Sequence, residues 1–198
     1  AGVLHTWVAG GQRVHSWNSG WLDGAVGSLD ATAAANYYQS TTVTAFPASV
    51  TILTGTLSSG TAASLNSDNN VYYAVNSTTS GTRTTSWYGS FTGVSSSLTN
   101  LRVNYKGNNS ASCTQTIAIW RWTDSTWVQL DSRSVSTTEI AINNLAPGGT
   151  LANYVSTAGS GELRVRVQCT RSTNFTARGD LMSIVYDAPI NPPPAGAP

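Results

Sequence analysis

From about residue 49 onward, apolar and polar positions alternate in short runs separated by Gly, Asn, Ser and Thr, the residues that tolerate turns. Nine runs stand out: 49–56, 71–75, 86–92, 101–106, 114–122, 127–135, 138–142, 162–170 and 180–186. Period-two alternation at this spacing predicts an all-β chain folded as two packed antiparallel sheets, a β-sandwich. A helical turn is expected over residues 151–155.

Parity assigns each strand its two faces, because successive side chains point to opposite sides. In the run 162–170, Leu163, Val165, Val167 and Cys169 share one face, and Arg164, Arg166, Gln168 and Thr170 share the other. The aliphatic face goes in and the arginines go out. In the run 114–122, Ile117 and Ile119 share a phase with Cys113 and Gln115, while Trp120 and Trp122 take the opposite phase with Ala118. Both cysteines then sit at inward phase near strand ends, and a Cys113–Cys169 disulfide is predicted.

Residues 1–46 do not continue the pattern. The stretch GVLHTWVAGG has strand character around Val3, Leu4, Trp7 and Val8, and a short helix capped by Asp30 is expected after it. Such a segment is too short for its own core and must pack on the sandwich or on another molecule. The expected organisation is an N-terminal extension or arm (1–46), a sandwich domain (47–188) and a Pro-rich tail or linker (189–198).

Charge narrows the partners. Lys and Arg number 10 and Asp and Glu 9, for a net charge of +1, with a single lysine, Lys106. Clustered cations that could bind nucleic acid or an anionic membrane are missing, and no apolar run is long enough to insert in a bilayer. A disulfide and the acceptor triplets at Asn76, Asn108 and Asn174 point to an extracellular or cell-surface glycoprotein.

The catalytic inventory is thin. Glu139 and Glu162 are the only glutamates, neither in a motif, and no nucleophile elbow, zinc helix or phosphate loop is present, so no enzyme and no catalytic residue is expected. Asp131 and Asp180 are expected to pair with Arg133 and Arg178 at the surface. No metal centre is predicted; the loop NSDNN at 66–70 offers oxygens that could hold calcium, but reads first as an Asn/Asp turn.

Three of the seven tryptophans, Trp120, Trp122 and Trp127, fall within eight residues. Trp120 and Trp122 on one strand face would form a flat platform for the apolar faces of sugar rings, with Arg164 and Arg166 supplying donors or cation–π contacts. Their other role is cohesion, covering the core, and Trp127 is expected to pack near the turn TDST.

The phrases VYYAVNSTTSGTRTTSWYGSFTGV, LRVNYKGNNSASCTQTIAIWRW, WVQLDSRSV and LRVRVQCTRSTNFTARGDLMSIVYDAP resemble a family of secreted, non-catalytic jelly-roll modules that recur in large bacterial extracellular proteins and are similar to carbohydrate-binding modules. The resemblance spans about residues 49–188, includes both cysteines, and implies a jelly-roll sandwich and export. It transfers no binding residues.

Two functions follow as expectations. The first is a self-assembling subunit of an extracellular fibre or surface layer, in which the strand-like arm of one copy completes a sheet edge of the next. The alternative is a carbohydrate-binding accessory module of a secreted multidomain protein, with glycans as partners. The neutral, hydroxyl-rich surface and the unplaced N-terminal segment favour the first.

Overall fold

The computed structural model describes residues 3–9, 12–18, 40–158 and 161–189, the first two segments as backbone only. The chain divides into two compact units, Ala1–Tyr37 and Tyr38–Pro198. The first contains an antiparallel hairpin of β1 (Val3–Ala9) and β2 (Gln12–Asn18), with Trp7 opposite Val14. The helix expected after Asp30 lies outside the described residues.

The second unit is a sandwich. One sheet has the order β10 (Thr126–Val135), β9 (Cys113–Arg121), β12 (Leu163–Arg171), β7 (Arg83–Phe91), β4 (Ser49–Thr54). The other has the order β11 (Ile140–Leu145), β8 (Thr99–Asn109), β13 (Thr176–Pro189), β6 (Tyr73–Asn76), β5 (Thr56–Ser59), and β3 (Ser40–Ala45) also pairs with β13. Every pairing is antiparallel. Eight of the nine expected strands are present as single strands, and residues 151–154 form the expected short turn, of 3-10 type.

The expected single strand 49–56 is two strands in different sheets. Gly55 separates them, with φ +101°, and a Cβ there would lie 2.4 Å from the Asn76 carbonyl oxygen. Glycine alone adopts that conformation without strain and lets the backbones approach so closely, and there the chain crosses from the edge of one sheet to the edge of the other.

The inner faces meet as parity dictates. Trp87, Phe91, Ile117, Ile119, Leu163, Val165 and Val167 from one sheet pack against Tyr73, Val75, Leu101, Val103, Tyr105, Met182 and Ile184 from the other. Trp87 is fully buried at the centre, with Tyr73 and Tyr105 at ring-centroid distances of 5.1 and 6.3 Å. Gly179 makes room for it: a Cβ there would press on both Leu65 and the Trp87 ring. At one end of the sandwich the Cys113–Cys169 disulfide, Cα atoms 5.9 Å apart, forms a second small cluster with Phe175 and Ala177.

Candidate functional site

The outward faces of the two sheets differ in chemistry. On β8 the outward residues are Arg102, Asn104, Lys106 and Asn108, an ordinary polar surface. On the five-stranded sheet the outward phase carries Tyr88 on β7, Arg164 and Arg166 on β12, Trp120 on β9 and Trp127 on β10, with Trp122 just past the end of β9; all six side chains are half-buried. Large aromatics on the solvent side of a sheet contribute little to the core beneath, so they need another reason to be there.

The strand order brings them together. Trp127 and Trp120 are direct cross-strand partners, ring centroids 5.0 Å apart at 65°. Trp120 meets Trp122 edge to face at 6.4 Å and 86°, and Trp127 meets Tyr88 at 5.8 Å. Arg164 fills the gap between the ends of this chain of rings, its guanidinium carbon 4.6 Å from the Trp122 ring and 5.2 Å from the Tyr88 ring. Arg166 lies 4.7 Å from the Trp127 ring. It is opposite Tyr88 on one side and Ala118 on the other, so only a methyl group separates its strand position from the Trp127 ring that leans toward it.

The two arginines are held differently. Arg164 donates to both carboxylate oxygens of Glu162 at 2.8 Å, and Ser90 Oγ donates to the same carboxylate at 2.5 Å. The Arg164 hydrogen bonds hold the Glu162 carboxyl below its ordinary range. The Trp122 indole nitrogen donates to the Glu162 carbonyl at 3.0 Å, fixing that ring over the start of β12. Among the described residues Arg166 has no such partner, and burial lowers its pKa.

Sequence reasoning therefore placed Trp120, Trp122, Arg164 and Arg166 on one surface. It expected a flat pair of rings, whereas Trp120 and Trp122 are nearly perpendicular, because Trp122 lies beyond the strand end and is turned by its own hydrogen bond. Trp127, expected at the turn, joins the cluster. Tyr88 was missed, although parity around the inward Trp87 would have found it.

The remaining expected site residues belong to other elements. Val3, Leu4, Trp7 and Val8 all fall in β1, whose backbone pairs with β2 of the same chain. Asn174 is exposed in the loop before β13, whereas Asn76 accepts a 2.7 Å hydrogen bond from Thr176 Oγ1 and Asn108 is buried in β8. A cleft of about 460 Å³ beside Asn76 and Asn174 is lined by hydroxyls, amides and Phe175, with no titratable group.

Arg133 pairs with Asp131 as expected, but Asp180 does not pair with Arg178 at the surface. Asp180 is buried at the β13 bulge between Gly179 and Leu181 because the loop 66–70 covers it: the Asn69 N–H donates to its Oδ1 and Asn66 bridges to Leu181. There it meets Asp68 and Glu139, the carboxylate oxygens lying within 4.8 Å of one another. Lys106 lies between two of them, 2.5 Å from Asp68 and 2.6 Å from Glu139. These hydrogen bonds raise the lysine pKa and lower that of Asp68, while burial raises that of Asp180, whose Oδ2 has no partner. Three carboxylates are a donor set a hard cation could use, and Asp68 belongs to the loop 66–70 considered for calcium; the Lys106 ammonium already pairs with two of the three.

No family model and no curated protein matches the chain. Among solved structures, similarity extends to TmCBM61 in complex with beta-1,4-galactotriose (12% identity, 75% of this chain and 88% of that chain, TM-score 0.34). It extends also to a CBM4 structure (11%, 56% and 92%, TM-score 0.32) and to the enzymatically active domain of bacteriophage CBA120 tailspike protein 4 (12%, 74% and 19%, TM-score 0.34). At such TM-scores the ligands and activities of those proteins carry no argument about this one.

Proposed function

We propose that the sandwich is a non-catalytic carbohydrate-binding module of an extracellular protein, and that glycan lies along the outward face of the five-stranded sheet. The observation that carries this reading is the asymmetry between the two outward faces: Tyr88, Trp120, Trp122 and Trp127 gather with two arginines on one sheet, while the outward residues of β8 and β13 at the centre of the other include no aromatic. Partly exposed indoles offer apolar surface to the C–H faces of sugar rings, and the flanking guanidinium, hydroxyl and amide groups offer hydrogen bonds to sugar hydroxyls. The tilted rings form a stepped surface that suits a twisted chain better than a flat crystal face.

The disulfide supports an oxidising compartment. Both glutamates are held in ion pairs, Glu162 with Arg164 and Glu139 with Lys106, which supports binding over hydrolysis. Self-assembly through residues 3–8 has less support, because β1 already pairs along one edge with β2.

Affinity electrophoresis through gels containing a panel of soluble polysaccharides tests the reading. Retention by the intact chain, lost in Trp127→Ala and weakened in Trp122→Ala with folding intact, is expected. Retention unchanged in both variants would remove the aromatic face from the proposal.

A further inference from the structure

The outward face of the five-stranded sheet carries only three charged side chains: Glu162, Arg164 and Arg166. Glu162 and Arg164 neutralise each other through two 2.8 Å hydrogen bonds. That leaves Arg166. Among the described residues it has no carboxylate within 4.0 Å and donates no hydrogen bond, and its Nε is shielded from solvent without a partner. Its neighbours across the ladders are Tyr88 and Ala118, neither able to balance a charge.

A half-buried guanidinium stacked on an indole but without an anion is an incomplete arrangement, since the planar fork is built for two parallel hydrogen bonds to a carboxylate or sulfate. The ring beneath it, Trp127, is also part of the sugar-stacking surface proposed above. We infer that the glycan recognised by this face is anionic, a sugar bearing a carboxylate or sulfate that docks on Arg166 while its ring stacks among Trp120, Trp122 and Trp127. The inference rests on the carbohydrate-binding reading and specifies its ligand class.

The test compares matched polymers in affinity gels and by calorimetry: polygalacturonate against its methyl ester, and dextran sulfate against dextran. The intact chain is expected to prefer one acidic polymer over its neutral partner by at least about tenfold, the worth of a charge-assisted hydrogen bond. Which acidic polymer is retained separates the carboxylate from the sulfate source. Arg166→Gln should abolish the preference, and Arg166→Lys, which keeps the charge without the fork, should restore part of it. Unchanged thermal unfolding of both variants would show that the loss is local.

Equal retention of the acidic and neutral forms, or a preference that survives in Arg166→Gln, overturns the inference and leaves carbohydrate binding standing. Retention of no polymer, neutral or acidic, removes both.

Discussion

Trp120 and Trp127 face each other across the β9–β10 ladder, directly in register, with ring centroids 5.0 Å apart and planes at 65°. Trp120 is the inner member, touched by Trp122 as well and with its indole nitrogen shielded from water. Trp127 lies on the edge strand and carries Arg166. The two should thus separate cohesion from binding. Trp120→Ala is expected to lower unfolding stability by about 2–3 kcal/mol, below the range for a fully buried tryptophan. Trp127→Ala should cost less stability but most of the glycan affinity. A double-mutant cycle by urea denaturation should find a coupling of about 1 kcal/mol between them.

The Cys113–Cys169 bridge joins residues 56 apart in the chain. By the loop-closure entropy argument, its removal in a Cys113→Ala, Cys169→Ala double variant should destabilise the fold by about 4 kcal/mol. Thiol titration of the native protein is expected to find no free thiol until reductant is added. Two titratable thiols without reductant would contradict the bridge.

Asp180 gives stability an unusual pH dependence. Burial raises its folded pKa, so between the unfolded value of about 3.9 and that raised value the folded state binds more protons than the unfolded. Its contribution therefore improves as pH falls through this window, the reverse of Asp68, whose lowered pKa stabilises above the unfolded value and is lost on acidification. Asp180→Asn keeps the acceptor for the Asn69 N–H and gives the unpartnered oxygen position a donor facing the other carboxylates. The variant should melt higher than the native protein at pH 7, with the difference shrinking toward pH 4. A constant difference across that range would place the proton elsewhere.

Lys106 is the ammonium that pairs with two of the three carboxylates, Asp68 and Glu139. Lys106→Met should lower the melting temperature by leaving those charges unmatched, and millimolar calcium should restore much of the loss. In the native protein, where the ammonium competes for the same oxygens, calcium is expected to shift melting little. A large calcium-induced rise in the native protein would mean that the ion displaces the lysine.

Much of the fold was legible because strand alternation is a local property. The inward phase of Leu163, Val165 and Val167 fixed the outward phase of Arg164 and Arg166, and the same count put Trp120 and Trp122 on the solvent side. Alternation fails wherever the backbone departs from regular pleating. The loop 66–70 folds over the bulge beside Asp180 and buries that carboxylate, and the left-handed Gly55 turned one apparent strand into two. Neither leaves a trace in hydrophobic periodicity. Tyr88 was legible in phase, but its phase did not say which residues it would meet.

The sequence by itself determined an all-β chain, the two faces of its central strands and the inward approach of both cysteines, since each follows from side chains one or two positions apart. Only the tertiary structure decided that β12 lies between β9 and β7, and so that Tyr88, Arg164, Arg166 and three tryptophans form one surface. Pairings between strands tens of residues apart are chosen by the packing of the whole core, and those pairings gather the candidate site.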